Sequence, residues 1–422
     1  MSQQNEFVRE FSQGEVAASI LRSTVAVRER CGQLLDRARV GHSAWFTVDD
    51  GRMRAAAAEV AAATRRHYPK LQVPLHSRWR HFEAGGVDRR HLLEQRLGDA
   101  PLSARARAMI DLTVVSVLLD AGAGSDWKYV DAASGQTYTR SEGLAVASFH
   151  AFTAGMFSSD RLHPLQADAE GLRSLVTDRL AEVLQASEAN PLVGLQGRAV
   201  LLRRLGEALQ EQPEVFGDPG RPSGIFDWLI GAEGGIPHSA DVDAHDILSQ
   251  LLVSLSGIWP LGTSIGGVPL GDVWRHAAVR GDADSDGWVP FHKLTQWITY
   301  SLLEPFTWAG VQVRGIERLT ALPEYRNGGL LIDSGVLQLR EPEAANTVWH
   351  PGDEIIVEWR ALTVALIDEL AGLVRSELSL SEDELPLAAV LEGGTWAAGR
   401  ELAQRARDGR PPLQVHSDGT VF

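Results

Sequence analysis

A single cysteine, Cys31, is all the thiol this 422-residue chain contains. One thiol closes no intrachain disulfide and builds no multi-cysteine zinc or iron–sulfur site, and its isolation suits a reducing compartment. Membrane-length apolar runs are missing as well. The run Leu112 to Leu119 is closed by Asp111 and Asp120, far short of the roughly 20 residues a span requires, so it reads as core. The opening residues, Met1-Ser-Gln-Gln-Asn-Glu, carry no basic start and no apolar stretch resembling a signal peptide, and a cytoplasmic protein is expected. Positive charge is the minority: 40 basic against 55 acidic residues give a net −15. That balance argues against a general nucleic-acid or membrane-surface binder and leaves room for a local basic pocket. Neither G-x-x-x-x-G-K-[ST] nor G-x-G-x-x-G occurs, and Gly122-Ala-Gly124 alone is too short to cradle a nucleotide. The thirteen histidines form no H-E-x-x-H and no His-x-His pair, so no local metal signature is present and no cofactor is expected.

What is present is helical periodicity. Arg54 to Arg66, Ala104 to Leu119, Glu170 to Gln185, Arg198 to Glu211 and Asp246 to Leu255 have helical character. From Glu354 onward Ile355, Trp359, Leu362, Leu366, Leu370 and Leu373 recur at steps of three or four, an apolar stripe that should face the core. Strand signals are scarce; Trp127 to Tyr138, turning at Asp131-Ala-Ala-Ser-Gly135, fits a short hairpin. There is no βαβ repetition, internal repeat or flexible linker. Gly217 to Gly224 and Gly262 to Gly271 only punctuate the chain, and the polar tail from Arg407 to Phe422 should be irregular. These features predict a mainly α, compact multi-helix fold with a few short β elements, a single domain over residues 1–422 in two helical lobes.

Two local motifs fail on their own chemistry. Asp282-Ala-Asp284-Ser-Asp286-Gly287 begins like a calcium loop, but its twelfth position, where a bidentate Glu belongs, is Lys293. Gly262-Thr-Ser264-Ile-Gly266 matches a nucleophile elbow, yet Gly267, Pro269 and Gly271 break the helix that should follow the Ser. A stronger constellation lies downstream. Val289 to Tyr300 reads as a helix opened by Pro290 and closed before Pro305, with Lys293, Gln296 and Tyr300 on one face and Leu294, Ile298 and Leu302 on another. In Glu324-Tyr325-Arg326-Asn327-Gly328-Gly329 a carboxylate, a phenol and a guanidinium precede two glycines that permit close backbone approach. Glu354 and Glu358 share a helical face ahead of Trp359-Arg360-Ala361. Taken alone, the first and third segments read as ordinary amphipathic and charged helix faces, and the second fits a structural turn with a Glu–Arg surface pair as well as a site.

Phe291-His-Lys293-Leu-Thr-Gln296, Glu324-Tyr325-Arg326 and Glu358-Trp359-Arg360-Ala361 resemble, in order and spacing, motifs of the queuosine-nucleotide N-glycosylase/hydrolase family, over roughly the C-terminal third. That resemblance implies a helical fold like that of helix-hairpin-helix glycosylases and cleavage of a base–ribose bond. Glu324 would take the place of the family's catalytic Asp and Lys293 that of its pocket Lys. The longer Glu arm and Asn327-Gly328-Gly329 depart from the family pattern.

Along the whole chain, His76-Ser-Arg78-Trp79-Arg80-His81-Phe82-Glu83-Ala-Gly85-Gly86, Val117 to Trp127, Arg140-Ser-Glu142-Gly143, Pro323 to Asp333 and Glu392-Gly-Gly394-Thr-Trp396 resemble the uracil-catabolism family of fungi and bacteria, called uracil-regulated in yeast. It implies a step in a ring-opening route that passes through a nucleotide and ends in urea. Together the two resemblances imply hydrolysis of the N-glycosidic bond of a ribosylurea-type phosphate or related nucleoside phosphate, a small-molecule substrate.

Such chemistry would place Glu324 beside the anomeric carbon as electrostatic stabiliser, base or nucleophile, and Tyr325 or His81 as donor to the leaving urea nitrogen. Lys293, Arg326, Arg78 and Arg80 would meet the phosphate. For Arg78 and Arg80 a structural network with Glu83 and Asp88 is the competing role. Asp120 and Asp126 would bind ribose hydroxyls or cap a helix, Gln296 would share the pocket face, and Trp127 would stack on the substrate or fill the core. The rivals are an amidohydrolase or deaminase of another ring-opened intermediate, and a non-enzymatic metabolite-binding regulator.

Overall fold

The computed structural model describes residues 12–231, 240–260 and 262–416, so the Met1–Glu6 segment and the end of the tail lie outside the described residues. Helices dominate. The principal ones are α1 (Thr24–Arg39), α2 (Met53–His67), α3 (Arg78–Phe82), α4 (Leu102–Leu118), α5 (Arg140–Thr153), α6 (Leu195–Glu211), α7 (Ala244–Leu255), α8 (Lys293–Trp308), α9 (Tyr325–Asp333), α10 (Glu354–Leu378) and α11 (Trp396–Arg407). Among the described residues every sheet has two strands of two or three residues. Most of the predicted helical stretches are found within two or three residues of their expected ends.

The apolar stripe of α10 behaves as its spacing requires. Ile355, Trp359, Leu362, Leu366 and Leu370 are buried while Leu373 is half-buried, and the helix packs across α1 and α2. Each fully buried Leu or Ile contributes about 2 kcal/mol. The second half of α4, from Ala108 to Leu118, is buried on all sides because neither lateral face is polar; α8 and α5 cover it. Its Asp111, also buried, is neutralised by Arg221 at 2.6 Å. The predicted hairpin forms, Lys128–Val130 pairing antiparallel with Thr137–Thr139.

Other expectations are corrected. The Glu170 to Gln185 stretch is two short helices, Ala169–Arg173 and Thr177–Val183. Val176 is extended between them, and the break lets Leu172, Leu175 and Leu180 all reach the core. Pro290 closes a strand, Trp288–Pro290, instead of opening a helix. The helix starts three residues later because the Asp272 carboxylate accepts the Lys293 amide at 2.9 Å. It then runs through Pro305 to Trp308: burial of Pro305 and Phe306, with the Thr307 hydroxyl bonded to the Leu303 carbonyl, outweighs a helix penalty of about 3 kcal/mol. The tail after Arg407 is not wholly irregular, since Gln414–Val415 pairs in parallel with Val348–Trp349. Around Gly262–Gly266 there is a tight hairpin, Ser264–Ile265 against Val268–Pro269, with no helix after the Ser.

Candidate active site

Three helices begin at one cavity. α5 starts at Arg140, α8 at Lys293 and α9 at Tyr325, and all three residues line a cavity of about 380 Å³. Helix N-termini present amide hydrogens and the positive end of the dipole, which favours an anion. Two of these starts are reached through non-glycine residues in the left-handed region, Arg140 itself at φ 53° and His292 at φ 51°. Such backbone persists only where its surroundings hold it. His292 is buried and donates from Nε2 to the Leu21 carbonyl at 2.8 Å.

Glu324 is the N-cap of α9. One carboxylate oxygen accepts the Arg326 amide at 2.7 Å and the other the Asn327 amide at 2.6 Å. The cap fixes the carboxylate in place and leaves further lone pairs on both oxygens. Burial pushes its pKa up, against the pull of those amides, Arg326 and Lys293. Burial pushes the Tyr325 hydroxyl up too. Burial, helped by Arg360, lowers the Lys293 ammonium to about 8. Behind Lys293 lies a buried pair in which Arg360 donates to both oxygens of Asp272 at 2.8 and 2.7 Å. Arg326 is buried, its guanidinium 4.7 Å from the Tyr325 ring centre and bonded to the Gly409 carbonyl. Arg140, Arg400 and Arg410 line the same cavity, the last two exposed; Arg400 pairs with Glu142 at 3.1 Å.

The lining is also aromatic and histidine-rich, with His76, His81, Trp297 and Trp396. His81 has Trp297 and Trp396 at 5.9 and 6.2 Å, and His76 lies 4.4 Å from Trp297. Burial and the nearby Arg78 lower the His81 pKa. Glu392, bonded to His76 at 2.7 Å, is raised by burial but brought below its ordinary value overall by His76, His81 and Arg80. Glu392 is the second residue of a π-turn, Leu391–Thr395, that leads into α11. Gly394 is required there, because a Cβ would come within 2.4 Å of Val60 on α2. Among the described residues no group of three or more His, Cys, Asp or Glu is placed to hold a metal.

Of the residues singled out from sequence, Glu324, Tyr325, Lys293, Arg326 and His81 meet at the cavity. Asp120 lines it as well, its carboxylate taken up by Arg78; the others do not. Arg78 is fully buried behind the wall, bonded to Asp120 at 2.7 Å, Ser116 at 2.8 Å and His81 at 3.0 Å. Arg80 pairs with Glu304 at 2.8 Å and Glu83 at 3.2 Å, its competing structural role, while Asp88 caps its own helix through the His91 amide. Gln296 is buried, spending its amide on Thr320 and the Phe291 carbonyl. Tyr300, predicted on the same face, likewise bonds the Thr320 carbonyl. Leu294 and Trp297 take that place in the cavity. Asp126 is exposed, and Trp127 is core, with Nε1 bonded to the Leu184 carbonyl. Glu358 accepts from Ser43 and lies 3.2 Å from His276, away from the cavity.

Sequence reading did not assign His76, Glu392, Trp297, Trp396, Arg140, Arg400 or Arg410. Four of these sit inside the segments shared with the uracil-catabolism family, but 316 residues separate His76 from Glu392, so their pairing was invisible along the chain.

A family model described as "Protein of unknown function (DUF1688)" matches residues 20–422. "Uracil catabolism protein 4" of Lachancea kluyveri is 38% identical over 435 aligned positions, covering 96% of this chain and 98% of that protein. "Protein urg3" of Schizosaccharomyces pombe is 42% identical over 358, covering 83% and 84%.

Proposed function

The chain belongs to the family of proteins described as DUF1688, and from that membership and the cavity we propose that it acts in uracil catabolism as an N-ribosyl hydrolase. The substrate is a ribosylurea-type phosphate or a related nucleoside 5-phosphate, handled by one catalytic domain spanning residues 1–422. The observation that carries this reading is the meeting of a rigid carboxylate, Glu324, with Lys293 and Tyr325 in a cavity that also holds Arg140, Arg326 and Arg410.

In the reaction a water oxygen bonds to the anomeric carbon while the C–N bond breaks. The electron pair leaves on the urea nitrogen, which takes up a proton, and ribose 5-phosphate and urea result. Positive charge grows on the sugar as the bond lengthens, and a carboxylate already held by two amides stabilises it without reorganising. The arginines and the N-terminus of α5, which has no side-chain cap, suit the phosphate. This assignment replaces Arg78 and Arg80 with Arg140 and Arg410 as phosphate ligands. Their guanidiniums match phosphate oxygens, and a cationic mouth contrasts with a chain of net charge −15.

Incubation with ribosylurea 5-phosphate, followed by NMR with and without chelator, should release urea and ribose 5-phosphate in equal amounts. Glu324→Gln, which keeps one of the two capping bonds and removes the charge, should slow turnover by about 10²-fold or more. Substrate left intact would sink the reading, and tight binding without turnover would mark a metabolite-binding regulator. Release that stops with chelator would point to a metal-dependent hydrolase.

A further inference from the structure

The two cavity histidines are held by groups of opposite chemistry. Nδ1 of His81 lies 3.0 Å from Nη1 of Arg78. A guanidinium has only hydrogens to offer, so that nitrogen must present a lone pair and the ring proton sits on Nε2. Arg78 cannot turn away, since Asp120, Ser116 and the Ser141 carbonyl hold it in a fully buried position. Nδ1 of His76 instead lies 2.7 Å from a Glu392 oxygen. An ionised carboxylate only accepts, so here the proton is on Nδ1 and the neutral ring keeps its lone pair at Nε2. The low pKa of Glu392 supports the ionised form. Glu392 is itself steadied by the Tyr68 hydroxyl, which donates to its other oxygen at 3.3 Å. Among the described residues neither Nε2 has a hydrogen-bond partner, and both rings line the cavity against Trp297.

We infer that His76 and His81 form a recognition pair for a ureido group, His81 donating from Nε2–H to its carbonyl oxygen and His76 accepting its N–H at Nε2. The inference deepens the hydrolase reading and rests on it for the choice of ligand. A phosphate or carboxylate offers only acceptors, and an ammonium or guanidinium only donors. A ureido group offers one carbonyl and adjacent N–H groups, the complement of one donor beside one acceptor. The Trp297 and Trp396 rings supply the flat apolar surfaces on which such a planar group lies. Arg78 and Glu392 are positioning residues, each selecting one tautomer.

The tautomers can be read directly. In full-length protein with ¹⁵N-labelled histidine rings at pH 8, with His76→Gln and His81→Gln to assign signals, His76 should show the Nδ1–H form and His81 the Nε2–H form. Adding ribosylurea 5-phosphate to the Glu324→Gln protein should shift the Nε2 signals of both rings, whereas ribose 5-phosphate should shift neither. His81→Phe should weaken binding of the ureido ligand about tenfold, the loss of one hydrogen bond of roughly 1.4 kcal/mol, and leave ribose 5-phosphate unaffected. The same tautomer at both rings, a doubly protonated His76, or ring shifts that are absent or equal for both ligands would overturn the inference. Both Nε2 signals shifting while the unsubstituted protein leaves the ligand intact would keep the pair and discard the hydrolase. Turnover with neither ring responding would do the reverse.

Discussion

Lys293 shows how far one position depends on its surroundings. Its ordinary pKa near 10.5 falls to about 8 because burial and Arg360 disfavour the ammonium. Between those two values the unfolded chain holds a proton that the folded protein has released. Stability contributed by this residue therefore rises with pH through that window. Binding follows the opposite sign, since the ammonium that attracts an anionic substrate is lost as pH rises through about 8. For a phosphorylated substrate kcat/KM should fall above pH 8, and Lys293→Met should remove that limb of the profile while lowering the plateau. A limb that persists in the variant would assign the titration to another group. At this scale much was legible: the residue types at 293, 324, 325 and 326 announce charge chemistry wherever they lie. The partners were not, because Asp272 and Arg360 approach Lys293 only after folding.

Asp272 ties three elements together. Its carboxylate receives the Lys293 amide at the start of α8, both arms of Arg360 on α10 and the Trp274 ring N–H at 2.7 Å. Burial by itself would raise its pKa, but Arg360 and these hydrogen bonds outweigh that and hold it well below the usual carboxylate range. The stabilisation is present above the unfolded carboxylate value near 4 and is lost as pH falls through the native one. Asp272→Asn leaves Arg360 buried and should cost about 3–5 kcal/mol at pH 7, read by denaturant titration. The difference from the parent protein should shrink in acid; a cost independent of pH would mean the charge is not the cause. Helix packing at the site is equally demanding. Gly399 of α11 meets α9 so closely that a Cβ would stand 2.2 Å from the Arg326 carbonyl oxygen. Periodicity located these helices because burial imposes it, but it misjudged the start of α8, where a side chain 21 residues upstream decides which amide opens the helix.

Across the whole molecule one hydrophobic cluster runs from Leu35 to Leu413 through α2, α4 to α8 and α10, and smaller clusters lie beneath α1 and beneath the short helix Gln13–Leu21 that precedes it. Among the described residues no helix is long and apolar enough to cross a membrane. With a shared core of this extent, thermal unfolding by calorimetry should give a single cooperative transition. Two resolved transitions would divide the chain into independently stable lobes.

Helical class, the scarcity of strands and the charged segments were determined by the sequence itself, because periodic burial and residue chemistry are local properties. So were the family hallmarks, which lie in continuous stretches. Which of the charged residues share a cavity was decided only by tertiary structure. Arg78 and Arg80, two residues apart, turn to Asp120 and Glu304, while His76 finds Glu392 across 316 residues. The physical reason is that a buried charge must be paired, and its partner is chosen by packing of distant segments.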